Sequence, residues 1–233
     1  MPYISTYKNY MLIVDQDDFS ENPREWDNIG TMLCWHREYR LGDKHDYASP
    51  RDFLEEMVEP YIAEDTNLED VPNNKILSIL RENDFIILPI FLLDHSGLSI
   101  SVSDFGDRWD SGQVGWIYIS PEKIEKEYGA VNETTKELAL KGLKAEIEIY
   151  DNFLRGSVWY FTLYDTNIGE MIDSIGGFIG DIDEVKDDIL SYLDCAKEDG
   201  EYLVENLEWK DRIRETTTID FDYYKNSAKK VGA

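Results

Sequence analysis

The stretch from residue 85 to residue 120 constrains this chain more than any other. Residues 85–93 form an unbroken apolar run, too short for a globular helix and rich in Ile, Leu and Phe. Such a run, closed by Asp94-His95-Ser96-Gly97, reads as a buried strand entering a tight turn. Leu98, Ile100 and Val102 then alternate with serines, which is the period of a half-buried strand. A loop over 104–113 holds two glycines and three aspartates, and 114–120 reads as a third strand with Trp116, Tyr118 and Ser120 on one face. Three strands joined by short loops predict an antiparallel meander at the centre of an α+β fold, with helices packed around it.

The flanking segments supply those helices. Ser49-Pro50 and Ser120-Pro121 each place a capping serine before a proline at the first helical position. Helical spacing follows in Phe53, Leu54, Met57, Val58 and Tyr61, and again in Ile76, Leu77, Ile79 and Leu80 over 73–83. The longest helical pattern, 134–154, uses Leu138, Leu140, Leu143, Ile147 and Tyr150, and Gly156 ends it. Residues 10–14, 157–164 and 171–182 read as strands, the last interrupted by Gly176-Gly177. A helix over 183–196 is predicted, with 201–207 continuing it after Gly200, and an edge strand over 218–221. No repeat or composition break divides the chain, so one α+β domain over 1–233 is expected, ending in an acidic helical segment over 181–222.

Charge narrows the function. The chain carries 49 acidic and 23 basic residues, a formal net charge of −26. Direct affinity for DNA, RNA or an anionic membrane is not expected of such a surface, and a basic protein partner is its natural counterpart. No apolar run approaches the ~18 residues that span a bilayer. The first residues lack the basic and apolar regions of a secretory signal, so a cytoplasmic location is expected. Cys34 and Cys195 are far apart and form no CxxC pair, which favours two reduced thiols.

Sites for chemistry are sparse. Two candidate metal sets are Cys34, His36, His45 and Asp46, or His95 with Asp94, Asp104 and Asp110, but neither spacing matches a usual zinc pattern. No metal or cofactor is expected. Residues 176–180 are glycine-rich without the ending of a P-loop or the spacing of a dinucleotide fold, and fit a bulged strand better. Asp94-His95-Ser96-Gly97 is what a tight turn requires.

The acidic segments say more. Between 181 and 222 fifteen carboxylates face five basic residues, a local charge of −10. The candidate partner-binding face comprises Asp181, Asp183, Glu184, Asp187, Asp188, Asp194, Glu198, Glu201, Glu205 and Glu208. Asp183 with Asp187 and Glu184 with Asp188 are like-charge pairs one helical turn apart, which destabilise an isolated helix by a few tenths of a kcal/mol. DNA presents one charge per ~3.4 Å of each strand, so such a row of carboxylates can occupy Lys/Arg sites built for phosphates. Asp15, Asp17 and Asp18 form a second acidic patch, and Tyr202 and Trp209 are candidate aromatic anchors.

The motifs NPREWDNIGTMLCWHREYRLGD (22–43), LLDHSGLSIS (92–101) and WDSGQVGWIYIS (109–120) resemble an accessory protein family of phages and mobile elements of Gram-positive bacteria. The resemblance spans about the first 150 residues and implies a genomic setting with no assigned activity and no catalytic residues. Accessory genes of such elements often inhibit host defence, and acidic DNA mimics are a recurrent solution to that task. The expectation is therefore a non-enzymatic anti-CRISPR or anti-restriction protein that blocks the basic channel of a host defence nuclease complex. The alternative is an enzyme or small-ligand binder whose loops, 26–45 and 94–116, bring Trp26, Trp35, His36, Asp94, His95, Trp109, Asp110 and Gln113 into one cleft.

Overall fold

Serines that precede prolines do start helices. In the computed structural model, which describes residues 2–210, Ser49 accepts a hydrogen bond from Asp52 N while the Asp52 carboxylate accepts one from Ser49 N, and Pro50 follows as the first helical residue. In chain order the elements are β1 (Tyr3–Tyr7), β2 (Tyr10–Gln16), β3 (Thr31–Cys34), α1 (Pro50–Val58), α2 (Asn73–Glu82), β4 (Ile86–Asp94), β5 (Leu98–Ser101), β6 (Ser111–Ile119), α3 (Pro121–Tyr128), α4 (Glu133–Leu154), β7 (Val158–Asp165), β8 (Glu170–Ile179), α5 (Ile182–Tyr192), α6 (Lys197–Glu205) and β9 (Glu208–Trp209). The fold is α+β with antiparallel sheets. The strand expected at 218–221 lies outside the described residues, as do Asp211, Glu215, Asp220 and Asp222.

The chain gathers into two compact units where the sequence predicted one domain. Residues 22–155 form a continuous unit, inserted into a second one made of 1–21 and 156–233. An insertion of this kind leaves no linker signature, because both of its crossings are short and ordinary in composition.

In the inserted unit the sheet order is β3-β6-β4-β5. The three strands of 85–120 are all present, but they are not a meander: β6 passes β5 and pairs with β4. The reason lies on the outer edge of β5. There Asp151 of α4 accepts hydrogen bonds from Ile100 N (2.7 Å) and Ser99 Oγ (2.6 Å), so that edge is already occupied. Pro89, which has no N–H to donate, sits in β4 opposite Trp116, ahead of the residues that pair with β5. Helix α4 packs on one face of the sheet through Ala139, Leu143, Ile147 and Tyr150. Leu138 is exposed instead of inward, since the stripe that ends at Tyr150 runs back through Ala139. On the other face α1 and α2 bury Phe53, Leu54, Val58, Ile76 and Leu80 against Trp116 and Ile87.

The discontinuous unit is a five-stranded sheet, β8-β7-β2-β1-β9. Helices α5 and α6 lie side by side on one face, burying Val185, Ile189, Leu203 and Val204 over Leu12, Phe161 and Leu163. Gly177, at φ +88°, is the extra residue of a bulge in β8, as the glycine pair suggested. The predicted 183–196 helix stops at Tyr192, and α6 begins at Lys197 and runs through Gly200. Gly200 is no helix breaker here: a Cβ at that position would stand 2.9 Å from Leu190 Cδ1, so the glycine lets α6 approach α5.

Candidate functional site

Three segments meet at one end of the four-stranded sheet. Both β3 and β4 run antiparallel to β6, so the residues leaving β3, those leaving β4 and those entering β6 share that end. Trp35 N donates to Val114 O at 2.7 Å and carries the pairing one residue past β3. The chain then loops out and returns at Gly42, which bridges Leu33. That return needs φ +70°, and a Cβ on Gly42 would lie 2.5 Å from Met32 O, so only glycine fits.

A buried ion network clamps the base of this loop. Arg24, only 8% exposed, donates from Nε and Nη2 to the two oxygens of Asp43, each at 2.9 Å. Its Nη1 reaches Glu146 Oε2 at 2.8 Å, and Nη2 also reaches Gly30 O at 2.9 Å. The carboxylates are satisfied in turn: Asp43 accepts Met32 N, and Glu146 accepts Ile29 N and Gly30 N. Burial pulls the Arg24 pKa down, but hydrogen bonds to Asp43 and Glu146 outweigh it and hold the guanidinium above its ordinary value. Asn22 caps the short 3-10 turn that carries Arg24, accepting from Arg24 N. Much of the 22–43 motif is thus spent on this clamp, a role that no local sequence pattern signals.

Beneath the loop lies a cavity of about 620 Å³ lined by residues between Cys34 and His45. Trp35 and His36 border it as expected. Trp35 is also a packing residue, set against Phe53 and Trp116 with Nε1 donating to Tyr47 O. His36 Nδ1 accepts from Glu38 N and Tyr39 N, which places its proton on Nε2, and its ring stacks on Tyr39. Tyr39 Oη donates to Asp94, an interaction that raises the Tyr39 pKa. Next to it His95 Nδ1 lies 2.8 Å from Asp110 Oδ2. Gln113 turns back on its own strand to Gly115 O. Trp109 stands 93% exposed rather than in a cleft. Trp26 does not join the group: it and Asn28 sit beside Lys123 of α3, past the exit of β6, because β3 separates Trp26 from Trp35.

Neither proposed metal set assembles, as no group of three or more His, Cys, Asp or Glu among the described residues is placed to hold an ion. Cys34 is a poor nucleophile. Burial pushes its thiol up to about 12, and His45 meets it at the backbone carbonyl instead of the sulfur. Both cysteines are free thiols.

The acidic candidates lie on the discontinuous unit. Its described residues hold 18 carboxylates and four lysines, 4 − 18 = −14. All four lysines are bound to nearby carboxylates: Lys8 to the buried Asp199, Lys186 to Asp183, Lys197 to Glu201 and Lys210 to Glu208. Glu184 accepts the Asp181 N–H at the start of α5. Asp187, Asp188, Asp194 and Glu205 are exposed with no ion pair to a lysine among the described residues, and the exposed Glu198 reaches Lys8 only through its charge. Of the expected anchors, Tyr202 is used internally, stacked on Tyr7 with centroids 4.1 Å apart, whereas Trp209 is half-exposed. In the Asp15, Asp17 and Asp18 patch, Asp17 packs over Gly176, where a Cβ would come within 2.9 Å of its carboxylate. Burial, then the charge of Asp15, raises the neighbouring Tyr160 pKa.

No family model, curated protein or solved structure matches this chain. Among the described residues no helix is long and apolar enough to cross a membrane.

Proposed function

We infer that the protein works by binding rather than catalysis, presenting the exposed carboxylates of α5 and α6 to the Lys/Arg-lined channel of a nucleic-acid-handling host protein in the cytoplasm. The observation that carries this reading is the pairing of the lysines. Each is consumed within its own neighbourhood, so among the described residues of that unit the surplus of 14 negative charges is not offset. Asp183, Glu184, Asp187 and Asp188 place four carboxylates within ~1.5 helical turns, a rise of about 8 Å, or one charge per ~2 Å, which lies between the ~3.4 Å of one DNA strand and the ~1.7 Å of the duplex. The resemblance of the 22–43 and 109–120 motifs to accessory proteins of mobile elements points to a defence nuclease, of CRISPR or restriction type, as the target.

Capture from host lysate at about 0.1 M and 0.5 M salt tests it, since screening shortens the reach of exposed charges. The expected result is a nuclease complex retained at low salt only, displaced by DNA, and lost with the Asp187→Asn/Asp188→Asn/Glu198→Gln/Glu205→Gln variant. Equal retention by that variant would sink the proposal.

A further inference from the structure

In a chain with more than twice as many acids as bases, residues 36–45 (HREYRLGDKH) collect three cationic side chains and two imidazoles in ten positions. Only Arg37 of the three cations is paired within the segment. Asp43 is engaged by the buried Arg24, and Glu38 by Arg37. Arg40 and Lys44 are exposed and have no ion-pair partner among the described residues. Both border the same cavity as His36 and His45.

The two imidazoles are set by hydrogen bonds to backbone. His36 is fixed with its proton on Nε2, available to donate. His45 places Nε2 3.0 Å from Cys34 O, which leaves Nδ1 as the buried side-chain atom without a hydrogen-bond partner among the described residues. Unsatisfied buried nitrogens are uncommon in native structures and call for an explanation. The backbone that carries these groups is anchored on both sides, by Trp35 to Val114 before the loop and by the Gly42 return and the Arg24–Asp43 clamp after it. Ordering the loop therefore costs a ligand little.

We propose that the cavity beneath residues 35–45 binds a small phosphate-bearing molecule, its phosphate between Arg40 and Lys44 and its organic part against the His36 and Tyr39 rings. The volume, about 620 Å³, falls in the ~300–1,000 Å³ range of small-molecule sites. A guanidinium and an ammonium that border one cavity suit an oxyanion with several acceptors, and a phosphomonoester brings three oxygens and a charge of about −1.5 to −2 at neutral pH. This inference does not depend on the acidic face, which belongs to the other unit and is neutralised by different substitutions.

Titration calorimetry of the full chain with ribose 5-phosphate, inorganic phosphate and ribose tests it. Ribose 5-phosphate is expected to bind more tightly than phosphate, and ribose not measurably. Arg40→Gln/Lys44→Gln, on exposed positions that leave the circular dichroism unchanged, is expected to weaken binding by about tenfold or more. The exposed pair Lys126→Gln/Lys141→Gln removes the same charge elsewhere on the unit and is expected to leave binding intact. Failure of both phosphates to bind at about 10 mM, or equal losses in the two double variants, would overturn the proposal.

Discussion

Arg24 and Asp43 face each other in a two-pronged contact, Nε to Oδ1 and Nη2 to Oδ2, both at 2.9 Å and nineteen residues apart in the chain. The pair ties the turn before β3 to the turn after it, and Glu146 ties both to α4.

Removing one member of a buried pair leaves the other charged and unsolvated. Asp43→Ala is therefore expected to destabilise the unit by about 3–5 kcal/mol in urea denaturation. The loss includes the acceptor of Met32 N. A cost below about 1 kcal/mol would mean that the clamp is ornamental and that the loop is held by its backbone bonds alone.

Asp151 invites a similar experiment with a smaller outcome. Asp151→Ala strands the Ile100 N–H and the Ser99 hydroxyl, at an expected cost of about 1–3 kcal/mol, whereas Asp151→Asn keeps an acceptor and recovers part of it. Equal losses in the two variants would assign the effect to packing.

Cys34 makes stability fall at alkaline pH. The folded thiol keeps its proton up to about 12, while an unfolded one releases it near ~8.5. The folded state thus holds more protons between these values, so the contribution is intact below ~8.5 and lost as pH rises toward 12. Denaturation midpoints measured from pH 8 upward are expected to decline less steeply in Cys34→Ala. At about pH 8 iodoacetamide should modify Cys195 well before Cys34, because Cys34 is the more buried thiol. Peptide mapping that finds Cys34 alkylated first would refute the assignment.

Salt should stabilise this protein. With a net charge of −26, exposed carboxylates such as Asp187, Asp188 and Glu205 repel one another across the surface. Raising NaCl from about 0.05 to 0.5 M screens that repulsion, with an expected gain on the order of 1 kcal/mol, or ~2–4 °C in Tm. A Tm that is flat or falls with salt would show that attractive pairs dominate.

Local chemistry was legible in the sequence, and long-range partnership was not. Ser49-Pro50 and Ser120-Pro121 declared their helices because a capping hydroxyl acts within three residues. The bulge in β8 showed in Gly176-Gly177 for the same reason. Arg24 gave no such signal: its partners lie 19 and 122 positions away, and a lone arginine in a polar loop looks solvated. Gly200 read as a break because its purpose, the approach of Leu190, belongs to another helix. Of the eight residues expected in one cleft, Trp35 and His36 border the cavity, while Trp26 lies elsewhere, since direction along a strand is invisible until its partner is known.

The two outer margins of the four-stranded sheet have one thing in common. On β3 the amide of Met32 points into the carboxylate of Asp43, and on β5 the amide of Ile100 points into that of Asp151. Each aspartate takes the donor that a passing strand from another molecule would need, and it does so with a negative charge that a neighbouring acidic chain would also have to approach. Each margin is capped by one of its own side chains, a device that works against the edge-to-edge pairing by which sheets grow into ribbons.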